Sequence, residues 1–145
     1  FCFTKKQRDF INNREVNKVK SGFMNMPKNA HISKVYLNMP LRACETKQNG
    51  DWLNNERWTV VKMFNDAIEI SNKDKTLIVP IPIFVQAFVP GYAMTIHSSQ
   101  GLTITEPYTV WIEKYHAFKD DDVWRLIYTA LSRATTKDQI GIIRQ

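Results

Sequence analysis

Apolar and polar positions change period three times along the chain. Phe1–Thr4 is a short apolar run that reads as a buried strand. Lys5 to about Val19 is polar and helix-compatible. Phe10, Ile11 and Val16 are expected on its buried side, although Asn12 and Asn13 are weak helix formers. Ser21–Ser33, with Gly22 and Pro27, reads as loop. From Val35 the pattern becomes extended. Val35–Cys44 carries Pro40 inside it, and Lys47–Glu56 is rich in turn residues. Arg57–Phe64, Ala67–Ile70 and Thr76–Ile81 read as strands, separated by the turns Asn65-Asp66 and Ser71–Lys75, with Pro80 and Pro82 ending the last. Short strands recurring at roughly ten-residue intervals predict a small antiparallel barrel or meander over 39–83.

An alternating strand and helix pattern then returns. Ile83–Phe88 is an apolar run expected to form a central strand, broken by Pro90-Gly91. Tyr92–Gln100 is a short helix candidate closed by Gly101, where only glycine takes the left-handed conformation cheaply. Tyr108–Ile112 reads as a strand. Asp120, Asp121 and Asp122 are placed to cap a helix from about Val123 to Ala134 and to complement its dipole. Val123, Ile127, Ala130, Leu131 and Ala134 share its expected buried face, and Ile140–Ile143 is a last strand. The whole predicts an α/β layer with a mainly parallel sheet, interrupted by a β module, with function at the carboxyl ends of strands.

Composition narrows the class. At 145 residues, 43% hydrophobic and 23% charged, the chain is about one domain's worth and fits a folded protein with a core. No window approaches the eighteen or so uninterrupted apolar residues of a membrane span, and no basic-then-apolar leader is present. An intracellular protein without membrane contact is therefore expected. The sequence starts at Phe1, within an apolar run and without Met, and reads as a segment of a longer protein. The net charge of +6 is uneven: residues 1–50 carry +7, residues 51–100 carry −1 and residues 101–145 are neutral. A local basic excess suits a polyanion such as nucleic acid, or simply a solvated surface. Cys2 and Cys44 are too few for a disulfide framework or a zinc site, and are expected as buried free thiols.

Candidate chemistry emerges mostly by exclusion. The sequence has no G-x-x-x-x-G-K-[ST] and no G-x-G-x-x-G, so it lacks the usual phosphate cradle. It has no H-E-x-x-H and no paired histidines, so no metal site is expected, and no G-x-S-x-G elbow. Three stretches remain. Phe1–Thr4 followed by Lys5, Lys6, Gln7 and Arg8 places polar and cationic groups at a helix start, which suits a phosphate or a plain solvated first turn. Ala93–Gly101 carries Thr95, His97, Ser98, Ser99 and Gln100, too polar for a core and suited to a binding loop. Tyr128–Ala134 ends an apolar helix with Arg133, which either complements the helix dipole or is aimed at a phosphate.

Their order is more specific than any one of them. A strand with F-x-x-T-x-x-x-R, then A-M-T-I-H-S-S-Q-G-L-T, then I-Y-T-A-L-S-R-A resembles motifs IV, V and VI of superfamily 1 helicases. The likeness is greatest to the 1B group, the RecD/Dda type with its eukaryotic and large-virus relatives.

The resemblance implies the second RecA-like domain of a motor that clamps ATP and Mg²⁺ between two such domains. The first domain would carry the phosphate loop and the magnesium-binding acid. Residues 1–38 and 84–145 would form the RecA-like domain, and 39–83 an inserted SH3-like β-barrel. It implies Arg133 as arginine finger, Gln100, Gly101 and Arg8 near the nucleotide, and Thr4, Lys5, Thr95, His97 and Ser98 near the strand. Lys5 stands where many relatives have Asn. Implied partners are single-stranded nucleic acid, preferably DNA, the N-terminal RecA-like domain and replication proteins. Trp52 and Trp58 suit a base-stacking face, with barrel core as the competing role for Trp58 and Trp52 expected exposed in a turn. Without a phosphate loop the chain alone is expected to be inactive. Two alternatives stay open: a superfamily 1 RNA helicase domain of a virus, and a non-catalytic nucleic-acid-binding or partner-docking module.

Overall fold

A computed structural model describes residues 1–28, 30–112 and 119–144. In chain order the elements are α1 (Lys5–Lys18), β1 (Phe23–Asn25), β2 (Lys34–Tyr36), β3 (Pro40–Ala43), β4 (Arg57–Met63), β5 (Ala67–Ser71) and β6 (Thr76–Pro80). Then follow α2 (Ile81–Ala87), β7 (Phe88–Pro90), β8 (Tyr108–Ile112), α3 (Asp120–Leu131) and β9 (Ile140–Arg144), with short 3₁₀ turns at His97–Ser99 and Lys137–Gln139. The chain divides into two compact units, one of Phe1–Ile11 with Ala93–Gln145 and the other of Asn12–Tyr92.

The second unit is built on an antiparallel sheet of order β6-β5-β4-β3-β7, beside a β1-β2 hairpin. Strict alternation drives it. Trp58 and Val60 of β4 and Ile68 and Ile70 of β5 point into the core, while Thr59 and Val61 face outward. A bulge between Val60 and Lys62 resets the register against β5. Leu41, Met39, Trp52, Phe84 and Phe88 complete this core, with Trp52 and Phe88 rings 5.0 Å apart. The outer strands β6 and β7 do not pair with each other among the described residues, so the sheet is open and the expected closed SH3-like barrel is not seen.

Several expectations are corrected here. The run Ile83–Phe88 is not a central strand. Ile81–Ala87 is helical, with Pro82 in the first turn where its missing N–H costs nothing. Ile81, Phe84, Val85 and Phe88 recur at helical spacing against the core, a period that a short all-apolar run hides. Val35–Cys44 is two strands rather than one, because Asn38 takes a left-handed φ of 63° and turns the chain between β2 and β3. Trp52 is buried despite its turn-rich neighbourhood, and Cys44 is exposed rather than buried. Phe10 is 61% exposed, since α1 buries Asn12 and Val16 one helical turn apart.

All pairings found in the first unit are parallel. β8 pairs with β9 from Tyr108↔Ile140 to Ile112↔Arg144. Cys2 forms a parallel bridge with Thr95, and Trp111 N–H donates to Phe1 O at 2.8 Å. The lateral order is thus the 94–96 segment, then 1–3, then β8, then β9. Phe3, Ile96, Val110, Leu126 and Ala130 form the core between these strands and α3. The three aspartates do not cap α3 by side-chain bonds. They occupy its first turn behind Lys119, where their charge still complements the dipole. The helix ends at Leu131, so Ala134 of the expected buried face lies beyond it and instead forms a parallel bridge with Ile104. The outer edge of β9 has no partner strand among the described residues, and Ile142 and Ile143 are 50% and 42% exposed.

Candidate functional site

The expected site residues all lie in the first unit and fall into two groups. The first sits where two neighbouring parallel strands end. Cys2 N–H donates to Met94 O at 3.0 Å and Ile96 N–H to Cys2 O at 2.9 Å, which holds the two segments side by side. Parallel pairing therefore brings Thr4 and the Thr95–Ser98 turn to the same carboxyl end, where such folds present their ligands.

At that end Thr4 is the N-cap of α1. Its Oγ1 accepts from Gln7 N–H at 3.2 Å, while Gln7 Oε1 accepts from the N–H groups of Thr4 and Phe3 at 3.2 and 3.0 Å. This is a capping box written in the sequence as T-x-x-Q, a signal missed when the segment is read only for cations. The Thr4 hydroxyl proton stays available to an outside acceptor. Lys5 is exposed beside it. Arg8 is bound to Asp9, with Nη2 2.6 Å from Oδ1, and its side chain is 18% exposed. It is thus charge-paired rather than standing open.

The Thr95–Gly101 turn is built by its own hydroxyls. Thr95 Oγ1 accepts from Ser98 N–H at 3.3 Å and shares a 2.9 Å bond with Ser98 Oγ. The fully buried Ser99 donates to Ile96 O at 2.7 Å. Thr95 is buried, Ser98 half-buried, and His97 and Gln100 are exposed. The expected helix over Tyr92–Gln100 is only the 3₁₀ turn at His97–Ser99, because Thr95 bridges Cys2 as a strand residue and the backbone turns helical only at Ile96. Gly101 does take the left-handed conformation, with φ 81°.

The second group surrounds Arg133. Its Nη1 donates to Leu102 O at 3.3 Å, its Nε to Thr129 O at 3.1 Å and its Nη2 to Ser132 Oγ at 2.9 Å. Its own carbonyl accepts from Ile104 N–H at 2.8 Å. The half-buried guanidinium therefore rests on neutral oxygens, and no carboxylate lies within ion-pair distance of it among the described residues. Leu102 directly follows Gly101, so the second and third sequence stretches meet here. Arg133 lies just past the end of α3, on the approach to β9 rather than at a strand's carboxyl end. Tyr108 buttresses the same place: its Oη donates to Ala130 O at 2.6 Å. Burial raises the Tyr108 pKa, and the nearby Arg133 charge works in the opposite direction.

Among the described residues no three His, Cys, Asp or Glu gather in a way that would hold a metal ion. No helix among them is long and apolar enough to cross a membrane.

Comparison with known proteins follows the same outline. Residues 90–137 match the UvrD-like helicase C-terminal domain family. No curated protein sequence matches the chain. Among solved structures, one of two coordinating Pif1 helicases unwinding forked double-stranded DNA superposes with a TM-score of 0.69 at 18% identity, over 98% of this chain and 38% of that one. Pif1 from Bacteroides bound to single-stranded DNA gives 0.66 at 17% identity, over 98% and 39%. Bacteroides Pif1 in complex with ADP-AlF₃ and single-stranded DNA gives 0.69 at 17%, over the same shares. The chain thus spans about two fifths of the length of these helicases. Its fold is similar to that of the matching part of these Pif1 helicases, and its 90–137 segment matches the UvrD-like helicase C-terminal domain.

Proposed function

We propose that the chain is the C-terminal motor part of an ATP-dependent superfamily 1 DNA helicase that translocates on single-stranded DNA and unwinds duplex. The observation that carries this reading is Arg133: a half-buried guanidinium on neutral oxygens, joined through Leu102 to the T-I-H-S-S-Q-G-L-T segment. Such an arginine fits a polyphosphate, which would outcompete the carbonyl and hydroxyl oxygens by charge. In this role it stabilises charge on the γ-phosphate in the transition state. Gln100 and Gly101 border the nucleotide, with Arg8 reaching it on release from Asp9. Thr4, Lys5, Thr95, His97 and Ser98 contact the strand backbone, giving salt-sensitive, sequence-tolerant affinity. The described residues do not fit Mg²⁺, which the phosphate-loop domain of the same protein would hold with most of the ATP. Residues 1–38 with 84–145 make the second RecA-like domain in this reading, and 39–83 its inserted β domain. The DNA preference is supported by the similar Pif1 helicases, which are described with single-stranded or forked DNA.

The test is strand-stimulated ATP turnover by the full-length protein. Arg133→Ala is expected to lower kcat by about 10³, the scale of arginine fingers, with strand affinity little changed. Equal losses in both overturn the assignment. The 145-residue chain alone is expected to show no turnover, and any turnover abolished by Arg133→Ala overturns that expectation.

A further inference from the structure

Gln139 makes an unusual set of bonds around the segment that carries Arg133. Its Oε1 accepts from Thr135 N–H at 2.9 Å, from Thr136 N–H at 3.0 Å and from Thr135 Oγ1 at 3.0 Å. Its Nε2 donates to Thr105 O. The acceptor half belongs to a capping box with Thr136 at the 3₁₀ turn before β9. The donor half does something a cap does not require. It leaves its own turn and ties the 135–136 segment to a carbonyl 34 residues away in sequence. Thr105 directly follows Ile104, whose N–H holds the Arg133 carbonyl at 2.8 Å and which bridges Ala134. The amide thus closes a ring: Arg133 to Ile104, Thr105 to Gln139, Gln139 to Thr135, and back along Ala134 to Arg133. Among the described residues Arg133 has no salt bridge to fix it, so its reach depends on where this ring holds its backbone.

We propose that Gln139 is a positioning residue for Arg133, setting through its amide cross-link the place from which the guanidinium meets a phosphate. The inference rests on the reading of Arg133 given above and adds to it a residue outside the motif that carries the arginine. An arginine displaced by even an ångström loses much of its effect on a transition state while ground-state binding is spared.

Gln139→Glu separates the two halves of the amide, keeping the acceptor that caps the turn and replacing the donor to Thr105 by a carboxylate oxygen. Gln139→Ala removes both halves and serves if the first variant folds poorly. In the full-length protein, either is expected to lower kcat for strand-stimulated ATP hydrolysis by roughly tenfold while KM for ATP moves less than about twofold. A merely structural role would lower the melting temperature and add to the Arg133→Ala defect. A positioning role predicts that Arg133→Ala with Gln139→Glu is no slower than Arg133→Ala alone. Wild-type kcat in both Gln139 variants, or additive losses in the double variant, overturns the inference and leaves the reading of Arg133 standing. Unchanged turnover in Arg133→Ala overturns both.

Discussion

Trp52 and Trp58 suit either a stacking surface or a core on sequence alone, and burial decides between them. Each is 2% exposed, and Trp52 lies against Phe88. Lys47 and Lys75 lie over the faces of Trp52 and Trp58, 4.6 and 5.7 Å from the ring centroids. Bases therefore have no exposed indole face to stack on here. Trp52→Ala should destabilise the fold by about 3–5 kcal/mol, the usual cost of deleting a buried aromatic, measured by urea unfolding. Trp52→Phe should leave single-strand affinity unchanged in a titration, and a clear loss would return the residue to the interface. Arg133 was singled out from sequence because its neighbours form a recognisable string. Gln139 was not, since its meaning lies in Thr105, a residue that no local pattern links to it. Tyr36 illustrates the same limit: its hydroxyl bonds to that of Tyr92, and burial together with that bond raises its pKa.

At the scale of elements, the strands with clean alternation were predicted within a residue or two, as β4, β5, β6 and β8 show. Failures cluster where period carries no information. The apolar stretch before Phe88 fits helix and strand alike, and only the packing of Phe84 and Ala87 resolves it. The parallel pairing of Cys2 with Thr95 brings the first two candidate stretches together, a juxtaposition that spacing alone does not dictate. β7 leaves the sheet through Gly91, and this glycine matters for space rather than dihedral freedom. A methyl group there would lie 3.0 Å from the Leu41 backbone, tighter than nearly all such contacts. Gly91→Ala should push β7 from β3 and cost about 1–3 kcal/mol, the range for overpacking. A melting temperature equal to wild type would show that the strands part without penalty.

For the whole molecule, the change in period near Val35 announces the antiparallel strands β3 to β6, while the parallel pairings lie in the first and last stretches of the chain. The extent of the second unit was not readable from sequence, because it takes in Asn12 onward, and part of α1 with it. A helix that contributes to two units shows one polar pattern throughout and gives no sign of where the division falls. The basic first third likewise spans both units, so charge alone does not locate a strand-binding face. The open side of β9 has a practical consequence for anyone handling this chain by itself. Its backbone donors and acceptors are unmatched by a further strand among the described residues, and Ile142 and Ile143 flank them. Such an edge is a template for the same edge on another copy. The 145-residue chain should therefore form dimers and larger aggregates as its concentration rises, seen as growing sedimentation coefficients. Ile142→Lys should return it to a single monomeric species, and aggregation undiminished by that charge would place the adhesive surface elsewhere.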